Sequence, residues 1–224
     1  MRDVNRISRL GFVNCYLVRE DDGLTLVDTA VPKSSKAILE AAGAAGTPIR
    51  RIALTHAHGD HVGSLDELAG QLDDVEVLIS ARDARLLAKD MSLDAGEPDS
   101  KLRGSYPGAN TQPTGTLTPG ERVGSLEVVA APGHTPGHVA LLDTRDRTLY
   151  CGDAFTTWGG AVETTARMHP RFPLATMGTW DRPTEIETAR ALRALDPTRL
   201  APGHGKVVEA PGAAMHKAIA RGSA

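Results

Sequence analysis

Four side chains that commonly bind divalent metals lie within six consecutive positions of the segment 55–61, whose sequence is THAHGDH. The segment follows a short apolar run, and residues two apart on an extended strand end point to the same side, so His56 and His58 can converge on one point. The chain then turns, and Asp60 and His61 face a second point nearby. Zinc, manganese and iron ions prefer neutral imidazole and carboxylate ligands. The spacing therefore predicts a metal site and not a polar loop with scattered histidines.

Three further ligand candidates each follow a predicted strand: His134, Asp153 and His204. Each comes directly after a glycine, which lets the backbone bend tightly and approach an ion. Taken alone, each of the three is more typical of a turn. Together with the first cluster they complete two sets of ligands, and this combination strengthens the prediction.

Strand and helix patterns alternate around these candidates. Apolar runs predict strands at 11–18, 24–27, 51–54, 75–79, 123–129, 139–142, 148–151 and 199–201. Capping signals predict helices from Ser34 or Ser35 to Ala42, after the Ser-x-x-Glu box at 64–67, over 81–89 and over 184–195. This order predicts an α/β fold with sheets in the interior.

Two long stretches, 92–119 and 154–182, lack periodicity and are predicted to be loops. Loops of this length in compact domains are usually lids, binding loops or disordered segments. The second loop contains Trp158, Phe172 and Trp180, although the chain has few aromatic residues. These side chains either line a pocket near the metals or pack the loop against the protein. Its histidine, His169, either reaches substrate or is an ordinary exposed loop residue.

Composition limits the range of functions. The chain has 224 residues, 41% hydrophobic and 24% charged, which is ordinary for a globular protein of one domain, 1–224. A formal charge of −3 argues against a nucleic-acid-binding protein that relies on a basic surface. Both cysteines lie in apolar runs and are typical of reduced core residues. Without a signal region or an apolar span, we expect a cytoplasmic protein that does not enter the membrane.

The ordered motifs resemble those of the metallo-β-lactamase-fold hydrolase superfamily, including its glyoxalase-II-like and lactonase-like members, over nearly the whole chain. The resemblance is carried by Asp28 in Leu-Val-Asp-Thr, the His-x-His-x-Asp-His motif, His134, Asp153 and His204. It implies a four-layer αββα sandwich with metals at one edge of two sheets. It further implies that one metal is held by His56, His58 and His134, that the second is held by Asp60, His61 and His204, and that Asp153 bridges both. Asp28 would support a ligand loop through hydrogen bonds, and His138 would be structural, since the ligand set is complete without it.

The resemblance also implies a reaction. Two divalent ions, expected to be Zn²⁺ with iron or manganese as alternatives, would share a hydroxide, since their charge lowers the pKa of bound water. The hydroxide would attack the carbonyl carbon of a small-molecule ester, lactone, thioester or amide. Asp60 would act as a catalytic residue that orients the nucleophile and relays a proton. No Gly-x-Ser-x-Gly elbow for a serine nucleophile is present.

The substrate is less constrained. Glyoxalase-II-type thioesterases carry a helical extension, whereas 20 residues follow His204 here. Lactonases of the family use a tyrosine between the bridging Asp and the last His, and no tyrosine lies between Asp153 and His204. Secreted β-lactamases and RNA-binding nucleases fit the chain poorly. Two other classes stay open: a mononuclear iron persulfide dioxygenase, and a protein that keeps the fold without catalysis. The oligomeric state is not predicted.

Overall fold

The computed structural model describes residues 5–223 as strands and helices in alternation. The strands are β1 (Asn5–Arg9), β2 (Val13–Arg19), β3 (Leu24–Val27), β4 (Ile49–Ala53), β5 (Glu76–Ile79), β6 (Gly115–Thr116), β7 (Arg122–Val123), β8 (Leu126–Ala130), β9 (Val139–Asp143), β10 (Thr148–Gly152), β11 (Phe155–Thr156), β12 (Glu163–Thr164), β13 (Arg199–Pro202) and β14 (Val208–Glu209). The helices are α1 (Ser35–Ala45), α2 (Gly59–Val62), α3 (Leu65–Ala69), α4 (Ala81–Leu87), α5 (Pro173–Gly178), α6 (Arg182–Ala194) and α7 (Gly212–Gly222).

Two six-stranded mixed sheets make up most of the strand content. The first has the order β1-β2-β3-β4-β5-β6, and the second has the order β14-β13-β10-β9-β8-β7. Strands β3 to β6 run parallel to one another, and β10 runs parallel to β13. The parallel strands of each sheet end at the same edge, which is where the predicted ligands follow them.

Alternation of side chains along the strands produces separate hydrophobic layers. In β2, Cys15 and Leu17 pack with helices α1, α3 and α4 on the outer face of the first sheet, whereas Tyr16 packs between the two sheets. In β10, Leu149 packs with α6 and α7 on the outer face of the second sheet, whereas Tyr150 packs inward against Tyr16. Since successive side chains on a strand point to opposite faces, each sheet is covered on both sides. The predicted α/β fold with αββα layers is confirmed.

Several element boundaries differ from the sequence prediction. Helix α1 continues through Gly43 to Ala45 and ends at Gly46, whose φ of 66° is left-handed. The predicted strand 123–129 is two strands, because Gly124 adopts a φ of 58° and turns β7 back onto β8. Ser64 makes no capping hydrogen bond to α3; its hydroxyl donates to the Val31 carbonyl and accepts from the Ser34 amide. A tertiary contact therefore replaces the predicted capping box.

Some elements were missed. Strand β1 is polar and largely exposed but pairs in full register with β2. Helix α7 lies in the segment after His204. The two predicted loops contain β6 in one case and β11, β12 and α5 in the other. Within residues 5–223, no helix has the length and apolar character needed to cross a membrane.

Candidate metal centre

The seven predicted ligands lie together at one edge of the two sheets. The 55–61 segment leaves the end of β4, and its last part forms helix α2. His134, Asp153 and His204 follow β8, β10 and β13 of the second sheet. An isolated β-bridge between Val13 and His204 joins the sheets at this edge, and the backbone N–H of Asn14 donates to the Gly203 carbonyl at 2.8 Å. Backbone contacts thus fix the distance between the loops that carry the candidates.

His56, His58 and His134, here called the histidine group, present their ring nitrogens to one point. One ligand atom from each lies within 4.8 Å of the others. His58 Nδ1 and His134 Nε2 are 3.0 Å apart. All three side chains are buried.

Asp60, His61 and His204, here called the acidic group, form a second cluster that satisfies the same 4.8 Å limit. His204 Nε2 lies 3.3 Å from Asp60 Oδ2. Both histidines are buried, whereas the Asp60 side chain is 40% exposed. The opening of this centre to solvent is therefore beside Asp60.

Asp153 lies between the two groups. Its carboxylate oxygens are 3.1 Å from His204 Nε2 and 3.3 Å from His61 Nε2. The oxygen that faces His204 is also 3.5 Å from His134 Nε2. One carboxylate therefore contacts members of both groups, as a bridging ligand must.

Buried atoms without hydrogen bonds point into the centre. Among the described residues, His56 Nε2, His61 Nε2 and Asp153 Oδ1 have no hydrogen-bond partner. A buried polar atom left unpaired costs about 1–3 kcal/mol. Cations bound between the two groups would satisfy all three atoms, and imidazole nitrogens with carboxylate oxygens suit zinc and iron. The residues present fit a metal centre.

The two groups differ in their protonation. Burial is the main cause that lowers the pKa of His56, His58 and His134, so these rings are neutral. Burial also opposes charge on His204, but the Asp153 carboxylate outweighs it and raises the pKa of His204 to about 9. The pKa of His61 is likewise raised, because Asp153 and Asp28 overcome its burial. Without a cation, the acidic group holds protons that a cation would displace.

Asp28 positions His61 of the acidic group through a contact with the ring nitrogen that faces away from Asp153. One of its carboxylate oxygens accepts from the Thr55 amide at 2.8 Å, and the other lies 2.9 Å from His61 Nδ1. This contact directs His61 Nε2 towards Asp153. Asp28 itself adopts a left-handed φ of 60° at the end of β3. Its contacts are those that the family resemblance implied.

Asp83, which the sequence did not single out, positions the histidine group. This buried residue in the first turn of α4 accepts from the Ala57 and Gly137 amides, each at 2.8 Å, and from the Thr135 hydroxyl. It thereby joins the loop of His56 and His58 to the loop of His134. Burial raises its pKa to about 6, against these hydrogen bonds. An aspartate in the first turn of a helix is common, so this contact was not predictable from the residue type.

The loop 92–119 holds His58 in place. The Arg103 carbonyl lies 2.9 Å from His58 Nε2, which leaves Nδ1 to face His134. The Ser105 carbonyl accepts from the Gly59 amide, and the Tyr106 ring centroid is 4.7 Å from that of His58. Gly104 adopts a φ of +88°, and a Cβ there would collide with His58 Nε2. These contacts are largely with backbone atoms, so residue types do not predict them.

Other residues considered from the sequence lie outside the two groups. His138 Nε2 accepts from the Asp153 amide at 3.1 Å, and burial lowers its pKa to about 3. His169 lies against Gly159. Trp180 is buried and donates to the Ser100 carbonyl at 2.8 Å, so it packs the two long loops together.

Comparisons with a family model and with known proteins point to the same family. The family model described as the metallo-beta-lactamase superfamily matches residues 8–204, a range that includes all seven ligand candidates. "Uncharacterized protein YobT" of Bacillus subtilis (strain 168) is 45% identical over 208 residues, which cover 92% of this chain and 89% of that protein. "Probable metallo-hydrolase YflN" of the same organism is 28% identical over 215 residues, which cover 86% and 80%.

Solved structures agree with these relatives. The crystal structure of TTHA1623 in a di-iron-bound form superposes with a TM-score of 0.66 at 25% identity, and the match covers 94% of this chain and 96% of that chain. Similarity in fold thus extends over nearly the whole described chain.

Proposed function

We propose that this chain, which belongs to the metallo-β-lactamase superfamily, is a hydrolase that uses two metal ions. Members of that superfamily are mostly hydrolytic enzymes. Its substrate would be a small molecule with an ester, lactone, thioester or amide bond. The observation that carries this proposal is the contact of Asp153 with both the histidine group and the acidic group. A shared carboxylate between two complete sets of donors suits a pair of cations better than a single one.

The proposed ligands follow from the two groups. The histidine group would hold one metal and the acidic group the other, with Asp153 shared. Divalent ions bound there would supply a water of lowered pKa and would polarise the carbonyl group that is attacked. The protein's own part is to hold these donors rigidly and to keep the centre closed except beside Asp60.

Asp60 has the position of a catalytic residue. It is the exposed member of the acidic group and lies beside His204 at the opening. Burial acts to raise its pKa, but the hydrogen bond to His204 and the charges of His61 and His204 overcome this and lower it, so Asp60 is ionised. A carboxylate at this place can accept a hydrogen bond from the attacking water, orient it, and pass its proton to the leaving group.

A mononuclear iron persulfide dioxygenase is the less favoured function. A single iron at the histidine group would leave the acidic group without a cation, although its buried His61 Nε2 has no hydrogen-bond partner among the described residues. The metal itself is a separate question. TTHA1623 was crystallised in a di-iron-bound form, so iron is a candidate beside zinc.

Metal analysis joined to a substrate panel tests the proposal. Protein purified without added metal would be assayed on esters, lactones, thioesters, amides and β-lactams, before and after chelation. We expect hydrolysis that is lost on chelation and restored by zinc or iron. Oxygen uptake with glutathione persulfide, without hydrolysis of any compound in the panel, would replace this proposal with the dioxygenase.

A further inference from the structure

His134, a proposed ligand of the histidine group, has a further contact on the side of its ring that faces away from the metal centre. Its Nδ1 atom lies 3.1 Å from the hydroxyl oxygen of Thr179. Thr179 follows α5 directly and is 1% exposed, and it lies outside the motifs that carry the family resemblance. The direction of this hydrogen bond decides which nitrogen of His134 carries the proton of the ring.

The surroundings of the Thr179 hydroxyl determine that direction. Its oxygen lies 3.0 Å from the carbonyl oxygen of Thr165 and 3.0 Å from that of Ala175. A carbonyl oxygen only accepts hydrogen bonds, whereas a hydroxyl has a single proton to donate. The hydroxyl proton is therefore directed at these carbonyls, and the hydroxyl oxygen accepts the hydrogen bond from His134 Nδ1.

The contact with Thr179 leaves the other nitrogen of His134 free to bind a metal. The neutral ring has one proton, so a proton on Nδ1 leaves a lone pair on Nε2. This Nε2 atom lies 3.0 Å from His58 Nδ1 and 3.5 Å from the Asp153 carboxylate. On His58, the Arg103 carbonyl accepts from Nε2 and leaves a lone pair on Nδ1 in the same way. Two lone pairs that face each other suit a shared cation and cannot form a hydrogen bond.

Backbone hydrogen bonds hold Thr179 beside the His134 ring. The Trp180 amide donates to the His134 carbonyl at 3.0 Å, and the Asp181 amide donates to the Gly133 carbonyl at 2.9 Å. The two residues after Thr179 therefore run alongside the His134 loop. These bonds fix the position of the hydroxyl relative to the ring.

Thr165 joins this contact to the bridging candidate Asp153. The Thr165 hydroxyl donates to the Asp153 carbonyl at 2.7 Å, while the Thr165 carbonyl faces the Thr179 hydroxyl. Both threonine side chains are buried. Hydrogen bonds therefore lead from the His134 ring through two threonines of the segment 154–182 to the backbone of Asp153.

We propose that Thr179 is a positioning residue for His134: its hydroxyl keeps the ring proton on Nδ1 and thereby presents Nε2 to the metal that the histidine group would hold. The inference rests on the proposed hydrolase function and deepens it, because it gives the segment after α5 a part in metal binding. A hydrogen-bond partner on the outer nitrogen of a metal-binding histidine fixes its tautomer and orientation, and its loss weakens metal binding by about 10–100-fold.

Cobalt titration of three variants tests the proposal. Thr179→Val removes the hydroxyl and keeps the shape of the side chain, so it should weaken cobalt binding at the histidine group by about 10–100-fold. Thr179→Ser keeps the hydroxyl and should bind cobalt as the native protein does. Thr176→Val is the matched control, because Thr176 is buried in α5 and its hydroxyl donates to the Arg167 carbonyl. This variant loses a similar hydrogen bond away from the ring and should keep the native affinity.

The ring proton of His134 gives a readout that packing alone would not change. Proton–nitrogen correlation spectra of zinc-loaded, isotope-labelled protein show which ring nitrogen of a histidine carries the proton. We expect the native protein to carry it on His134 Nδ1, with slow exchange with solvent. Exchange should be faster in Thr179→Val and unchanged in Thr176→Val.

Several results would overturn the inference. One is a native cobalt affinity of the histidine group in Thr179→Val. Equal losses in Thr179→Val and Thr176→Val would make the packing of α5 the cause, and equal losses in Thr179→Val and Thr179→Ser would exclude the hydroxyl. A proton on His134 Nε2 in the zinc-loaded native protein would also refute the inference, and this measurement does not depend on the folding of any variant.

Neither measurement needs a substrate, so failure of this inference is distinct from failure of the proposed function. If the native protein binds cobalt at both groups but cleaves no compound of the panel, the hydrolase proposal fails, and the cobalt affinity of Thr179→Val still decides the role of Thr179. If the protein is a hydrolase and Thr179→Val keeps its cobalt affinity, only the role of Thr179 fails. A native protein that binds no cobalt would refute both.

Discussion

The histidine group and the acidic group lie side by side and share Asp153, yet their electrostatic surroundings are opposite. Burial lowers the pKa of the rings of the histidine group, while Asp153 raises the pKa of His204 to about 9 against its burial. The first group is therefore a neutral site that is ready for a cation. The second is a site where carboxylates stabilise protonated histidines, so a cation must displace protons there. Two neighbouring sites built this way should differ in affinity and in pH dependence.

Removal of one ligand from each group gives the largest expected effect. His58→Ala should empty the histidine group, and Asp60→Ala should empty the acidic group. Each should lower kcat by at least about a thousandfold, since loss of a metal removes several kcal/mol of transition-state stabilisation. Metal content by mass spectrometry should fall by one ion in each variant. Full activity in either variant would contradict the proposal that each group holds a metal needed for catalysis.

Replacement of each supporting aspartate should weaken metal binding at one of the two groups. Asp28→Asn removes a carboxylate beside His61, whereas Asp83→Asn perturbs the joint between the loops of the histidine group. We expect each to weaken metal binding at its own group by about 10–100-fold. Cobalt titration followed by absorption spectra resolves the two sites. If both variants affect the same spectral transition, the assignment of the supports is wrong.

A pair of glycine variants sharpens the assignment of the loop 92–119 to the histidine group. Gly104→Ala should displace the His58 ring and weaken metal binding at the histidine group by about tenfold. Gly96→Ala is the matched control, because Gly96 also has a positive φ, of 92°, but a Cβ there meets nothing within 4 Å. Both variants carry the same kind of backbone strain. Equal loss of cobalt affinity in the two would mean that strain, and not the His58 contact, is the cause.

The smallest predicted effect is that of replacing His138 on the free energy of unfolding. Burial lowers its pKa from 6.5 to about 3 in the folded chain, so its contribution to stability is complete above pH 6.5 and decreases as the pH falls towards 3. In metal-free protein, the difference in unfolding free energy between the native chain and His138→Gln should change by about 1 kcal/mol between pH 7.5 and pH 5.5. Denaturant titrations at the two pH values measure it. A difference that does not vary with pH would show that His138 is not held neutral.

Side chains with distinctive chemistry were predictable from the sequence, and the α/β fold was predictable from the order of its elements. His56, His58, Asp60 and His61 are adjacent in sequence, so local geometry alone indicates their convergence. His134, Asp153 and His204 were indicated only by their positions after predicted strands and by the ordered family pattern, because their contacts are long-range. Strand β1 was missed because an edge strand can be polar and exposed.

The contacts that position the proposed ligands were less predictable. The Arg103 carbonyl that faces His58 is a backbone atom that every residue type carries. Asp83 occupies an ordinary helix position, and only the tertiary structure shows that it is buried. Chemistry was thus visible in the residue types, whereas the contacts that support it depend on the packing.

Native mass spectrometry of the protein as purified without added metal tests the central claim most directly. The arrangement of both donor groups around Asp153 predicts that the active chain carries two metal ions, and that chelation removes both ions and the activity together. A fully active chain that carries a single ion would contradict it.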